Sequence, residues 1–325
     1  MTSLVTIRMA LATFMGITLT LILGTTLYTT MAALGQEQYS YVTQWGSTGT
    51  GFGTFKQPLE ITVDQDDNVY VTDFTSVSNK VQKFTNNGSF LTSWGTLGFG
   101  PALFTSPSGI GVSSSGNFYV ADFGSPDTAV QEFTNEGTFL RMWGSFGLGD
   151  GQFINPGGLT VDSSDNIYVG DFGENNRIQK FDSEGNFITK WGTPGTGDGQ
   201  FINPAGLAAD SSDNIYVVDG GNSRVQKFDS EGNFITKWGI PGSGDGQFTR
   251  PGDIAVDSEG NTYVTDQGNN RVQKFDSEGN FITKWGSKGS GEGQFTDPLG
   301  IALDASGKVY VVDAGNSRVQ VFSSS

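Results

Sequence analysis

Six tryptophans, Trp45, Trp94, Trp143, Trp191, Trp238 and Trp285, recur every 47 to 49 residues. No other feature restricts the fold so strongly, because a fixed period in the forties marks a propeller or solenoid repeat. Other residues keep the same period. Tyr70, Tyr119, Tyr168, Tyr216, Tyr263 and Tyr310 each precede an Asp by three residues, and Pro58, Pro107, Pro156, Pro204, Pro251 and Pro298 each follow a phenylalanine by three.

The unit from Gly192 to Trp238 reads as four short strands. Leu207 to Asp210, Ile215 to Asp219, Arg224 to Phe228 and Asn233 to Trp238 are rich in β-branched and aromatic residues. They are separated by Ser-Ser-Asp-Asn, Gly-Gly-Asn-Ser and Asp-Ser-Glu-Gly, which are turn sequences. Four antiparallel strands per unit make a propeller blade. The sixth unit stops after Arg318–Phe322, and Tyr39–Trp45 has the pattern of its missing outermost strand. The expected fold is therefore all-β: a six-bladed propeller over residues 36–325, closed by an N-terminal strand that removes an open edge.

Phe201 to Pro204, Gly206 to Asp210, Asn214 to Asp219, Asn222 to Phe228 and Phe234 to Gly239 resemble the NHL repeat, and the resemblance recurs through residues 39–325. It implies the same six-bladed fold. It implies less about function, since fold and function separate widely in propellers. The family includes an amidating lyase, RNA-binding domains of tripartite-motif proteins, and extracellular sensor or interaction domains. The lyase resemblance requires metal-binding histidines, and this chain has no histidine. With 18 basic against 34 acidic residues and a net charge of −16, it also lacks the basic face that nucleic-acid binding uses. The absence of cysteine removes disulfides, thiolate metal sites and a thiol nucleophile.

Ahead of the repeats, Met9 to Gly35 is uncharged and carries Leu11, Phe14, Ile17, Leu19, Leu21, Ile22, Leu23 and Leu27, with Arg8 before it. Residues 1–35 are expected to form one hydrophobic helix, either a signal peptide or a membrane anchor, with residues 9–35 as the tether in the second case. Both alternatives place the propeller outside the cell.

Candidate functional residues are sought where the repeats differ. The inter-blade loops of the first three units carry Phe52, Leu97, Phe99, Phe146 and Leu148 where units four and five have threonine, proline or serine. Their turns after the second strand begin with Phe74, Phe123 and Phe172. These eight residues form a candidate apolar sector on one face of the disc, of the kind that marks interaction sites. The second residue after the proline is glycine in four units but Glu60 and Asp253 in the first and fifth. These are the candidates for a metal at the channel mouth, as in related metal-dependent lactonase and esterase propellers; with Arg250 and Asp297 expected nearby, local ion pairing is the simpler expectation. No cofactor is predicted, and calcium is the one cation considered. Asp171/Arg177, Asp219/Arg224, Asp266/Arg271 and Asp313/Arg318 are read as a repeated structural ion pair.

The expected function is a non-catalytic exported binding module engaging a protein or extracellular polymer through one face. The alternatives are a calcium-dependent hydrolase or lyase at the channel mouth, and a structural cell-surface protein.

Overall fold

The computed structural model describes residues 37–74, 79–124 and 128–324. The expected hydrophobic helix and the signal or anchor of residues 1–35 lie outside the described residues. Among the described residues no helix is long and apolar enough to cross a membrane.

From Tyr39 onward the chain is a six-bladed propeller of four-stranded antiparallel sheets. Blade one comprises Pro58–Val63, Val69–Asp73, Lys80–Phe84 and Phe90–Trp94, ordered from the axis outward. Blades two to five repeat this order, beginning at Pro107, Asn155, Pro204 and Pro251 and ending at the next four tryptophans. In the sixth sheet, Pro298–Leu303, Val309–Asp313 and Arg318–Ser324 are joined by Tyr39–Trp45, which runs antiparallel to the last of these with Trp45 opposite Val319.

Burial explains the residue choice in each strand. The second strands, such as Val69–Asp73 and Ile215–Asp219, are buried along their whole length, so they are apolar on both faces. The outermost strands alternate between half-buried and exposed positions, and their sequence alternates with them. The innermost strands start three residues earlier than the apolar pattern suggests, at Pro204 rather than Leu207. A register shift between Pro204 and Leu207 breaks the alternation there, and the same irregularity recurs at Pro58, Pro107, Pro251 and Pro298.

The core lies between blades. Tyr216, Val218, Val225 and Trp238 of blade four pack with Phe248, Ile254, Val264 and Phe275 of blade five. Each tryptophan also reaches across a blade boundary. Trp45 covers Gly88, Trp94 covers Gly137, Trp143 covers Gly185, Trp191 covers Gly232 and Trp238 covers Gly279. These glycines have φ between +83° and +87°, and an added Cβ would lie 2.5–2.7 Å from the indole. Conformation and space both require glycine there. Trp285 meets Tyr39 instead, with the rings stacked at 4.1 Å and 16°, and the Tyr39 hydroxyl lies 2.9 Å from that of Tyr263.

The Asp/Arg pairs fasten the inter-blade loops. Arg224 Nε donates to Asp219 Oδ2 at 2.8 Å, while its Nη atoms donate to the carbonyls of Thr196, Gly197 and Gln200. Asp219 Oδ1 accepts the Ile202 N–H at 2.8 Å. Arg271/Asp266 and Arg318/Asp313 repeat the contact at 2.8 and 2.7 Å, and Arg177/Asp171 is longer at 3.5 Å. Both partners are buried.

Strand direction sorts the connections. Turns between first and second strands and between third and fourth lie on one face of the disc, the hairpin face. The remaining turns and the inter-blade loops lie on the other, the loop face, where the innermost strands begin.

Candidate functional site

The six innermost strands converge just below the loop face. An added Cβ at Gly109 would lie 2.3 Å from the Gly157 carbonyl oxygen, at Gly158 2.2 Å from that of Ala205, and at Gly300 2.8 Å from the Glu60 Cα. Backbone therefore packs against backbone here, forming a neck in the central channel. Glycine is the residue that fits in four blades. The other two bring Glu60 and Asp253.

Blades one and five both pack on blade six, and Gly300 between them has no side chain. Glu60 and Asp253 consequently meet and hydrogen-bond to one another. Asp253 is buried, and its Oδ2 accepts the Ile301 N–H at 2.8 Å. Glu60 is partly open toward the loop face. Burial, and then the charge of Asp253, hold the Glu60 carboxyl well above the usual range. Burial pushes Asp253 up to about 6, against the opposing hydrogen bonds from Glu60, Ile301 and Ile254. The pair is thus a carboxylic acid donating to a carboxylate, with one proton shared near neutral pH.

Local ion pairing, expected from the sequence, does not occur at these residues. Arg250 pairs with Asp297 at 3.3 Å on the exposed surface, and no lysine or arginine lines the neck among the described residues. The sequence reading also missed two supporting residues. The Glu60 N–H donates to Thr72 Oγ1 at 3.0 Å, and the Asp253 N–H to Thr265 Oγ1 at 2.8 Å. The glycine blades have Ala121, Gly170, Val218 and Val312 at that place. A carboxylate and a threonine at the same separation in two blades out of six was the available signal.

Above the neck is a crater of about 410 Å³ on the loop face. Leu59 and Leu299 wall one side; Ser108, Gly157, Ala205 and Gly252 at the equivalent positions are small and hollow out the other. Phe172 leans over Gly157, and Phe123 packs edge-on against it at 6.1 Å. Glu60 is the ionisable residue of this lining. Below the neck the channel continues with a volume of about 180 Å³ between Ile61, Ile110, Leu159, Leu207, Ile254 and Ile301.

The eight apolar candidates divide into two groups. Phe74 and Phe123 are half-buried in turns of the loop face, and Phe172, half-buried at the end of a second strand, lines the crater. Phe52, Leu97, Phe99, Phe146 and Leu148 are exposed, from 48% for Leu97 to 77% for Phe52. Phe52 stacks on Phe90 at 5.1 Å. Phe52 does not stand where the later units have threonine, proline or serine: in blades three to five its place is taken by Asp150, Asp198 or Asp245, each ion-paired with Lys190, Lys237 or Lys284. In blade one both members have changed, to Phe52 and Ser93.

The pair fits a divalent cation poorly. Its two carboxyls share a proton, Asp253 already accepts a backbone N–H, and no group of three or more His, Cys, Asp or Glu placed to hold a metal occurs among the described residues. The Asp-rich hairpin turns are occupied too: Asp162 Oδ1 accepts the N–H groups of Ser164 and Asn166, and Oδ2 accepts from Asn166 Nδ2 and the Tyr168 hydroxyl.

The NHL repeat model matches residues 153–181, 201–228, 248–275 and 295–322, each running from a buried loop phenylalanine to the last residue of a third strand or its equivalent. The chain is an NHL-repeat propeller. Blades one and two fall outside the matched segments; they have Lys80 and Ala129 where the later NHL repeats have the loop-fastening arginine. No curated protein matches the chain in sequence. Among solved structures, a gluconolactonase from Xanthomonas campestris superposes with a TM-score of 0.62 at 13% identity, over 90% of this chain and 91% of that one. An auxiliary nutrient binding protein from Bacteroides thetaiotaomicron gives 0.62 at 14% identity, over 89% and 74%. A chain of a nidogen/laminin complex gives 0.58 at 18% identity, over 82% and 97%. At these identities the likeness is one of fold.

Proposed function

We propose that this NHL-repeat chain is an exported, non-catalytic binding module that engages a protein or an extracellular polymer through the loop face. The observation that carries the reading is the set Leu97, Phe99, Phe146 and Leu148. These four exposed side chains occupy equivalent places on two adjacent loops, where blade four has Pro194 and Thr196. Water-facing apolar clusters of this kind mark interaction surfaces. Export rests on the uncharged run Met9 to Gly35. The first strand starts at Tyr39 on the hairpin face. A nutrient-binding protein and a laminin-complex protein on the same fold are compatible with such a role.

The test is crosslinking on intact cells, comparing wild type with a variant carrying serine at all four positions. Loss of partner recovery with an unchanged melting temperature supports the reading; unchanged recovery removes it. A hydrolase or lyase using a hard cation is the second reading; it draws on the meeting of Glu60 and Asp253, against the shared proton that makes the pair a poor cation ligand. Calorimetric titration with millimolar calcium decides it, and absence of heat eliminates that enzyme.

A further inference from the structure

The crater and the pair beneath it combine an apolar cavity with one converging charged group, the usual composition of a small-molecule site. At about 410 Å³ it falls within the roughly 300–1,000 Å³ that such sites occupy. Its position is fixed by paired departures from the repeat: carboxylates in place of neck glycines, threonines supporting their backbones, and leucines in place of small residues at Leu59 and Leu299. The charge has a definite sign. Among the described residues no lysine or arginine lines crater or neck, and Arg250, on the loop before Pro251, is paired with Asp297. Glu60 is the titratable group of the crater lining, and Glu60 and Asp253 are those of the channel lining beneath it. Phe172 adds an aromatic wall, which favours a cation over a neutral group.

We infer that the crater binds a small organic ammonium ion, its apolar body against Leu59, Leu299 and Phe172 and its charged nitrogen on Glu60, with the Asp253 carboxylate immediately behind. This deepens the binding-module reading by naming a ligand class for the centre of the same face, and it does not involve the exposed loop residues. Loss of partner capture and loss of ammonium binding are therefore separable results.

The experiment is calorimetric titration of the full-length protein with benzylammonium chloride, with benzyl alcohol as the neutral probe and calcium chloride as the metal probe. Benzylammonium is expected to bind at least about tenfold more tightly than benzyl alcohol, a difference of about 1.4 kcal/mol. Its affinity is expected to fall as the pH is lowered through about 6, where Asp253 takes up a proton. Glu60→Gln keeps both an acceptor for the ligand and a donor for Asp253, so it should bind within about threefold of wild type; Asp253→Asn should lose about tenfold or more. A metal site would respond differently, since both substitutions remove a charged ligand. Equal binding of the neutral probe, equal loss in both variants, displacement of benzylammonium by calcium, or no benzylammonium binding at about 10 mM would each overturn the inference. Should Asp253→Asn melt early, Ala205→Leu fills the crater without altering either carboxyl. It should abolish binding, and retained affinity would count against the site.

Discussion

The same substitution, Asp to Asn at the end of a second strand, should be costly in blade four and nearly neutral in blade one. Asp219 is buried and accepts four side-chain or backbone donors, from Ile202 N, Asn222 Nδ2, Arg224 Nε and Gln226 Nε2, at 2.8 to 3.1 Å. An asparagine amide there turns an NH₂ toward other donors and leaves the buried Arg224 without its counter-charge. Breaking a buried ion pair by removing one partner costs about 3–5 kcal/mol. At about 2 °C per kcal/mol, toward the low end for a chain of this size, Asp219→Asn should melt roughly 6–10 °C earlier. Asp73 is equally buried but differently served. Its Oδ1 accepts the N–H groups of Lys56 and Gln57, each at 2.9 Å, and its Oδ2 has no hydrogen-bond partner. Lys80, where later blades have arginine, donates to the carbonyls of Thr50 and Gly51. Burial raises the Asp73 pKa, so the charged form is disfavoured in the fold. Asparagine keeps the acceptor that is used and removes that charge, so Asp73→Asn should stay within about 1 kcal/mol of wild type. Scanning calorimetry at pH 7 measures both. Equal losses in the two variants, or an unaffected Asp219→Asn, would refute the assignment of these aspartates to different roles.

Three further outcomes follow from the same geometry. Gly206→Ala places a Cβ 2.1 Å from Asp253 Oδ1 and should lower stability by about 1–3 kcal/mol through overpacking, read from a urea melt followed by tryptophan fluorescence. Because the folded pKa of Asp253 is raised to about 6 from 3.8, its favourable contribution is complete below the unfolded value and is lost as pH rises through the folded one; the melting temperature of Asp253→Asn relative to wild type should therefore climb between pH 4 and pH 7, and a flat difference would contradict the shift. Removing residues 39–45 exposes the edge of Arg318–Ser324, and should lower the melting temperature and produce concentration-dependent association on size-exclusion chromatography; a stable monomer would deny that strand its role.

Much of the blade was legible because each position is written several times. Tyrosine, tryptophan, the loop phenylalanine and the Asp/Arg pair appear at fixed spacing, and turns at Asp165, Asp213 and Gly260 use residues that tolerate the positive φ found there. The start of the innermost strands was not legible, since the register shift after Pro204 interrupts the alternation that reveals a strand. The Glu60–Asp253 contact was hidden for a different reason. Sequence order places blades one and five apart, and it is the bare Gly300 of blade six that lets their side chains touch. Thr72 and Thr265 carried a detectable signal, a hydroxyl in the two units with a neck carboxylate, but it becomes meaningful once the backbone N–H groups they accept are seen. The eight apolar candidates were identified as exceptions to the repeat. Their division into crater wall and exposed loop depends on radial position, which periodicity does not encode.

The tryptophan-over-glycine contact has a bearing on how such a protein can grow. Every internal blade carries a key at one end and a lock for its predecessor, so the joint is modular and indifferent to how many modules are strung together. A duplicated copy of blade four or five would engage its neighbours as well as the original does. What counts to six is the neck, where glycine backbones already touch and an added blade would have to force the circle wider. Unit number is thus set at the centre of the disc, while its periphery remains open to duplication; the identity of Val225–Gly239 with Val272–Gly286 at every position is what such copying would leave behind.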